Sequence, residues 1–350
     1  MAKKHSIVVI GSSNTDLIIK VARIPKSGET VLGGEFASAA GGKGANQAVG
    51  AVRAGGSVAF IGRVGRDNFG KSALAGLTAE GINVDYVAQD ETRPSGVALI
   101  FVGDQGENSI AVASGANAGL SPADVRRARK VVRDAKVLVV QLEIPLKTVQ
   151  TAVELARAAG VRVILNPAPA RALPVELLQG LYLLTPNEIE AEMLTGVAVD
   201  NEAGAAEAAQ KLVASGVQNV IVTMGDRGAL VATDGIQRLI PGYKMKAVDT
   251  TAAGDIFNGT LAVALAEGKS LLEAAGFASA AAAISVTRLG AQASTPTRQE
   301  IETFLANRKL MRGRPARGST LPANDRDGSP EQCKPTAGKR KGTRAGFQPA

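Results

Sequence analysis

The segment 249–259 places acidic residues beside a run of small ones, a combination that suits phosphoryl transfer. It reads DTTAAGDIFNG and leads into a stretch with helical spacing. Ala252, Ala253 and Gly254 would leave backbone N–H groups free at that helix start, where the helix dipole also attracts an anion. Asp255 could be only a helix cap, but beside an anion hole it can accept a proton from a hydroxyl. One base, one anion hole and a Mg²⁺ ion suffice for phosphoryl transfer, which needs chiefly positioning and charge neutralisation.

A second segment, residues 40–47, could bring backbone close to a ligand. It reads AGGKGANQ, which is not a Walker A loop, because Lys43 is followed by glycine, and is not a GxGxxG fingerprint. Glycines allow a close backbone approach, and Lys43 and Asn46 supply donors at a helix start. Taken alone, the segment could equally be a glycine-rich turn that enters a helix.

The scarcity of histidine and cysteine excludes several kinds of catalytic site. The 350 residues include one histidine, His5, and one cysteine, Cys333. A single cysteine forbids an internal disulfide and a multi-thiolate zinc site, and a single histidine argues against a Ser-His-Asp triad or a multi-histidine metal centre. An enzyme of this composition would use a carboxylate or a lysine as its base, and a hard cation on oxygen ligands as its metal.

Short apolar strands alternate with alanine-rich helical stretches along most of the chain. The expected strands are Ser6–Ile10, Val137–Leu142, Val161–Leu165, Leu181–Leu184 and Asn219–Thr223. The expected helices are Ala45–Ala54, Pro122–Ala135, Leu146–Ala159, Ala205–Ser215, Asp255–Glu267 and Leu271–Thr287. Near-continuous apolar strands separated by helices indicate an α/β fold with a parallel sheet covered on both faces.

Polar and glycine residues follow each expected strand, at the edge where open α/β sheets bind ligands. In chain order they are Asn14, Asp16, Glu143, Asn166, Asn187, Glu190, Gly225 and Gly228. Each alone is more often a cap or a turn residue, but together they predict a cleft.

Two stretches, 17–37 and 96–113, lack helical periodicity. The second contains two β-rich runs separated by GDQGEN, which is a hairpin signal. We expect the two stretches to form a small antiparallel sheet that acts as a lid and excludes water from the site. The alternative is an ordinary extension of the main sheet.

The chain carries a net charge of +8, most of it near the C-terminus. Residues 310–350 hold nine basic and three acidic residues, so they carry +6 and leave +2 for residues 1–309. This tail lacks Val and Ile and is rich in Pro and Gly, so we expect it to be disordered, with contact to nucleic acid as the alternative. The sequence shows no signal peptide or membrane span, and the compartment we expect is the cytoplasm.

Several motifs together resemble the ribokinase (PfkB-type) carbohydrate kinase family, and its bacterial ribokinases in particular. The two signatures are GGKGANQA at 41–48 and DTTAAGDIFNG at 249–259; further similar segments are GSSNTD at 11–16, GAN at 115–117, NPAPA at 166–170, TPNE at 185–188 and VTRLGAQ at 286–292. The resemblance runs from about residue 6 to about residue 305. It implies one kinase domain over 1–309, with a three-layer, doubly wound, mostly parallel sheet and a small antiparallel β lid.

The resemblance implies a role for individual residues of this sequence. Asp255 would be the base that deprotonates the ribose 5-hydroxyl, and Ala252, Ala253 and Gly254 would form the anion hole. The residues that would hold ribose are Asn14, Asp16, Gly42, Lys43, Asn46, Glu143 and Asp255.

The resemblance also implies sites for ATP and two cations. The expected ATP contacts are Asn187, Thr223, Gly225, Asp226, Gly228, Gly254 and Ser279. Ser279 departs from the family, in which a histidine often lies near the adenine, so the choice of nucleotide stays open. Glu190 would organise Mg²⁺ through water, as Mg²⁺ prefers. The ligands expected for an activating monovalent cation, usually K⁺, are Asp249, Thr251, Ser285, Arg288, Gly290 and Ser294, several through backbone carbonyls.

The leading functional hypothesis is ATP-dependent phosphorylation of D-ribose at O5 by a homodimer paired through the lid. The nearest alternative is a sibling kinase that acts on 2-deoxyribose, fructose or a nucleoside. A protein that binds nucleic acid through its basic tail is a third hypothesis, and a tail that arose by read-through past an ordinary terminus is a fourth.

Overall fold

The computed structural model describes residues 5–105, 107–233 and 235–312. Its strands are β1 (Ile7–Ile10), β2 (Asn14–Lys20), β3 (Glu35–Gly41), β4 (Val58–Gly65), β5 (Asn83–Asp90), β6 (Gly96–Val102), β7 (Asn108–Ala113), β8 (Val137–Val140), β9 (Arg162–Leu165), β10 (Leu183–Leu184), β11 (Asn219–Thr223), β12 (Gly228–Thr233) and β13 (Ile236–Pro241). Its α-helices are α1 (Lys43–Arg53), α2 (Asn68–Ala79), α3 (Pro122–Arg127), α4 (Arg129–Asp134), α5 (Leu146–Ala158), α6 (Val175–Leu178), α7 (Glu188–Thr195), α8 (Glu202–Ala214), α9 (Ala253–Ala266), α10 (Leu271–Ser285) and α11 (Arg298–Arg312).

A nine-stranded sheet forms the centre of the molecule. Its strand order is β13-β12-β11-β10-β9-β8-β1-β4-β5, and all neighbours are parallel except the pairs β11–β12 and β12–β13. In β1, Val8 and Ile10 belong to one apolar core while Ile7 and Val9 belong to the other, because successive side chains point to opposite faces. Helices α3, α5 and α8 pack on the first core and α1, α9 and α10 on the second. The predicted three-layer, doubly wound fold is confirmed.

The helix expected over Pro122–Ala135 is two helices. Ala128 ends α3 and begins α4, so the chain changes direction there. Ser121 starts α3 with a reciprocal capping box that involves Asp124.

A separate four-stranded sheet, in the order β3-β2-β6-β7, forms the predicted lid. The pairs β2–β3 and β6–β7 are antiparallel, as expected, whereas the central pair β2–β6 is parallel. Asn14 lies at the root of this sheet, where it pairs with Gly41 on one side and with Gly96 on the other. The lid therefore begins at a residue of the predicted sugar site.

No helix in the described ranges is long and apolar enough to cross a membrane. The tail predicted to be disordered, 310–350, lies outside the described residues from position 313 onward, and α11 continues three residues past the predicted boundary at 309.

Candidate active site

The site lies where the strand order of the main sheet reverses. The chain runs outward from β1 to β4 and β5 on one side and later fills β8 to β13 on the other. The carboxyl ends of β1 and β8 border this switch point, which is where open α/β sheets bind ligands. Ser12 and Asn14 follow β1, and Gln141 and Glu143 follow β8.

Asp255 occupies the first turn of α9 and is buried. Its Oδ1 accepts a hydrogen bond from Gln47 Nε2 at 3.0 Å, and its Oδ2 accepts one from Asn46 Nδ2 at 3.1 Å. The residue does not cap its own helix, because the cap position is taken by Ala252 in the left-handed conformation, with φ 60°. The carboxylate is thus held by α1, and the simple reading of Asp255 as a helix cap is wrong.

The backbone at the start of α9 is accessible, as the anion-hole prediction requires. Ala252 and Ala253 are partly exposed and Gly254 is exposed. Within the described part of the chain, the N–H groups of Ala252 and Gly254 have no acceptor. The N–H of Ala253 donates to the Thr250 carbonyl at 3.3 Å, so an anion would compete with that bond. Two of the three expected donors are free and the third is weakly engaged.

The charged groups around Asp255 form an electrostatically coupled set. Burial raises the pKa of Asp255, and Lys43 opposes that increase. Burial followed by repulsion from Glu143 and Asp255 raises the pKa of Asp16 to about 6. Burial disfavours the charged form of Lys43, but the acidic neighbours outweigh it, so the pKa of Lys43 is raised. Lys43 therefore stays cationic between the carboxylates of the site.

The glycine-rich entry to α1 permits close packing against the lid strand β2. A Cβ at Gly41 would lie 2.2 Å from Asp16 Oδ2, and a Cβ at Gly42 would lie 2.6 Å from the Asn14 nitrogen. Gly42 also has φ 90°, which favours glycine. The backbone N–H of Lys43 donates to Glu143 Oε2 at 3.1 Å. The segment is therefore a built part of the site and more than a flexible turn.

A cavity of about 370 Å³ opens beside Asn14 and Glu143. Asn117 and Val112 also line it, so the lid contributes to its wall. The buried Asn117 amide donates to Asn14 Oδ1 at 2.8 Å and accepts from the Ser13 N–H at 3.0 Å. Asp16, Gly42, Lys43 and Asn46 do not line this cavity. Lys43 bonds Glu143 in its wall, and Asn46 bonds Asp255.

A second cavity, of about 240 Å³, is lined in part by Ala253 and Gly254 at the start of α9. Six of the seven residues predicted to contact ATP line it: Thr223, Gly225, Asp226, Gly228, Gly254 and Ser279. Asn187 does not line it but forms a β-bridge with Thr223. Sequence reasoning missed Tyr243 and Met245 in its wall, since apolar residues after a strand carry no motif, and gave no role to Phe257, which lies within the 249–259 signature.

Glu190 is buried and fixed by a capping box at the start of α7. Its Oε2 accepts from the Asn187 N–H at 2.8 Å and its Oε1 accepts from Asn187 Nδ2 at 3.1 Å. Burial raises the pKa of Glu190, and the hydrogen bond from Asn187 opposes that increase. Both carboxylate oxygens are already engaged, which fits contact with a cation through water better than direct ligation.

The six residues predicted to bind a monovalent cation lie on two loops that Asp249 joins. Its Oδ1 accepts from the Thr251 N–H at 2.9 Å, and its Oδ2 accepts from the Gly290 N–H at 2.8 Å. The Ser285 hydroxyl, at the end of α10, donates to a carbonyl of that helix, the Ser294 hydroxyl donates to a carbonyl of its own loop, and the remaining member, Arg288, pairs with Glu300. In the described ranges, no group of three or more acidic, histidine or cysteine side chains could hold a metal ion.

Comparison with known proteins identifies relatives over most of the chain. Residues 4–298 match the family described as pfkB family carbohydrate kinase. A ribokinase of Haemophilus influenzae is 46% identical over 302 residues, which cover 86% of this chain and 99% of that protein. A deoxyribokinase of Salmonella typhi is 40% identical over 301 residues, covering 86% of this chain and 98% of that protein. The structure of Arabidopsis thaliana ribokinase complexed with ribose and ATP aligns with a TM-score of 0.80 at 34% identity, covering 87% of this chain and 99% of that one.

Proposed function

This chain belongs to the pfkB family of carbohydrate kinases, and from that premise we propose that it phosphorylates D-ribose at O5 with ATP. The observation that carries the proposal is the position of Asp255. Its carboxylate is buried and oriented by two amides, in the helix turn whose Ala253 and Gly254 line the second cavity. A base beside accessible backbone donors at the edge of a nucleotide cavity suits phosphoryl transfer, which depends on positioning and charge stabilisation.

In the proposed reaction, Asp255 accepts the proton of the ribose 5-hydroxyl. The O5 lone pair then forms a bond to the γ-phosphorus of ATP while the bond to the β-bridging oxygen breaks, and ADP leaves. The N–H groups of Ala252 and Gly254, joined by that of Ala253, stabilise the negative charge of the transferred group. Lys43 adds a positive charge near the acidic residues Asp255, Glu143 and Glu190.

Ribose recognition is proposed for the polar groups around Asn14 and Glu143. Asp16 is 8% exposed, and no donor in the described residues bonds its carboxylate, so its oxygens are free for sugar hydroxyls. Asn14 is held by Asn117, and Glu143 is held by Ser12 and the Lys43 N–H. Gly42 and Asn46 complete the expected set. Groups held in this way bind hydroxyls with little loss of side-chain entropy.

ATP is proposed to bind in the cavity lined by Thr223, Gly225, Asp226, Gly228 and Ser279. Bound Mg²⁺ would neutralise charge on the phosphates. Asn187 and Glu190 would hold it through water, given that the Glu190 oxygens are engaged.

Activation by K⁺ is proposed for the two loops joined by Asp249. The loop with Asp249 leads directly into α9, which carries the anion hole, and the second loop is joined to it through Gly290, so a cation there would fix the position of Ala252–Gly254. Asp249, Thr251, Ser285, Arg288, Gly290 and Ser294 stay the predicted ligand set, with backbone oxygens as donors.

Pairing of two copies through the lid is also proposed. Phe36, Leu99 and Ile110 on the lid are 69%, 50% and 55% exposed. Exposed apolar residues concentrated on one small sheet are typical of an interface. The cytoplasmic location stays a prediction.

The sibling activity on 2-deoxyribose has one specific support, the 40% identical deoxyribokinase. A coupled ADP-release assay on ribose, 2-deoxyribose, fructose and adenosine, with and without K⁺, separates the two. We expect kcat/KM for ribose to exceed the others at least about tenfold, because a site that hydrogen-bonds a hydroxyl rejects its absence. A preference for another acceptor would overturn the ribose assignment.

A further inference from the structure

We propose that Gln47 is a positioning residue that fixes the orientation and the ionised state of the Asp255 carboxylate. The inference rests on the proposed role of Asp255 as the base. Gln47 is completely buried on α1, and among the described residues its amide bonds only Gln141, Asn166 and Asp255. It therefore acts on the reaction through Asp255 and not through the substrates.

The hydrogen bonds around Gln47 allow only one orientation of its amide. Asn166 Nδ2 donates to the Thr185 backbone carbonyl at 3.0 Å, and a carbonyl can only accept. The Oδ1 of Asn166 must then face Gln47, which donates to it from Nε2 at 3.1 Å. The same Nε2 donates to Asp255 Oδ1 at 3.0 Å. A flipped Gln47 would set its oxygen against two other oxygens, so the donor is locked toward the base.

The same network reaches the anion hole from the opposite side. The Thr185 hydroxyl donates to Asn258 Oδ1 at 2.6 Å, and Asn258 Nδ2 donates to the Gly254 carbonyl at 2.8 Å. Thr185 is thus linked both to Asp255, through Asn166 and Gln47, and to the backbone of Gly254. The network fixes the separation between the proton acceptor and the anion donors.

A neutral donor suits this position better than a cation would. Asn46 already donates to Asp255 Oδ2, so Gln47 completes one N–H donor on each carboxylate oxygen. Donors to the ionised form favour that form and oppose the effect of burial. Four charged groups also act on Asp255. They are Lys43 on α1, Asp16 on β2, Glu143 after β8 and Glu190 on α7. They remain unchanged when only Gln47 is replaced.

The test compares the pH dependence of kcat in the full-length enzyme and two variants. Gln47→Met has a similar length and no donor, so we expect kcat at neutral pH to fall about 10- to 100-fold, with KM for ribose within about threefold. The acidic limb of the pH profile of kcat should move to higher pH by about one to two units. A shift of that size corresponds to the free energy of one lost hydrogen bond to a charged group. Gln47→Glu keeps the volume and can still accept from Gln141, and its second buried carboxylate should also move the limb upward.

Thr148→Val is the matched control, because it removes a buried hydrogen bond to the Leu120 carbonyl, of 2.8 Å, outside the site. We expect its pH profile to match that of the wild type. Wild-type enzyme without ribose kinase activity would refute the proposed function. The wild type could instead be active while the acidic limb of the pH profile is unchanged in Gln47→Glu or in a folded Gln47→Met. That result would refute the role of Gln47 but not the proposed function.

Discussion

Replacing Asp16 by asparagine should stabilise the folded protein while impairing ribose binding. Asp16 is buried on the lid strand β2, and its carboxylate accepts no hydrogen bond from the described residues. It also faces the negative charges of Glu143 and Asp255. An asparagine at this position would remove one buried charge without changing the shape of the side chain. The wild-type residue is therefore expected to destabilise the folded protein, and its proposed role is in sugar binding.

The magnitude follows from the pKa of Asp16, which is raised from 3.8 to about 6. A shift of about two units corresponds to about 3 kcal/mol at pH 8. Because the folded-state pKa is the higher one, the favourable contribution of the carboxyl is fully present below about pH 3.8 and is lost as the pH rises through about 6. At pH 5, where the folded protein is mostly protonated at this site, the stabilising effect of Asp16→Asn should be about half as large.

Urea denaturation of both proteins at pH 8 and pH 5, without ligand, measures this effect. Saturating ribose should then raise the unfolding midpoint of the wild type more than that of Asp16→Asn, because ligand binding stabilises only the folded form that binds. The two proteins could have equal free energies of unfolding at pH 8, or the stability gained by Asp16→Asn could be as large at pH 5 as at pH 8. Either result would show that the buried charge of Asp16 does not destabilise the folded protein.

Three further predictions concern the lid, the Mg²⁺ site and the core. The double variant Leu99→Asp/Ile110→Asp, with a charge on each lid face, should be a monomer by sedimentation where the wild type is a dimer; a monomeric wild type contradicts the proposed pairing. Glu190→Gln should raise the Mg²⁺ concentration for half-maximal activity several-fold, and an unchanged Mg²⁺ titration would exclude Glu190 from that site. Leu165→Ala, which truncates a fully buried side chain of β9, should lower the free energy of unfolding by about 3 kcal/mol in urea, and a loss below about 1 kcal/mol would contradict tight packing there.

Local sequence patterns predicted many of the elements whose residues lie in one segment, although β12, β13, α2 and α11 were missed. Strand β1 is four buried apolar residues in a row, which indicates a central parallel strand. The start of α9 is equally local, because small residues and an acidic residue at a helix start are read from one short segment. These features need no knowledge of the rest of the chain.

Strands β4 and β5 were missed because their patterns depend on distant partners. Arg63 and two glycines interrupt the apolar run of β4. The structure accommodates Arg63 because its guanidinium reaches Asp90 at 3.1 Å and Asp124 at 3.0 Å. Half-exposed β5 has no clear alternation. The parallel pairing of β2 with β6 was likewise invisible, since it joins segments about 80 residues apart in the sequence.

The candidate site was likewise predicted only in part from the sequence. Motifs gave many of the residues around the cavities and the Asn46 amide that bonds Asp255, but the role of the second amide, Gln47, was missed. Gln47 lies 208 residues from Asp255 and 119 residues from Asn166. No spacing rule joins such residues, and only the fold brings their amides into contact.

The most direct test of the account is Asp255→Ala, with turnover and ribose binding measured on the same preparation. We expect kcat for ribose phosphorylation to fall at least about 1,000-fold, because both the base and the orientation of the hydroxyl are lost. Ribose should still bind by calorimetry, with an affinity within about tenfold of the wild type, since Asn14, Asp16 and Glu143 remain. Turnover close to that of the wild type in a folded Asp255→Ala protein would contradict the central claim that this carboxylate is the base.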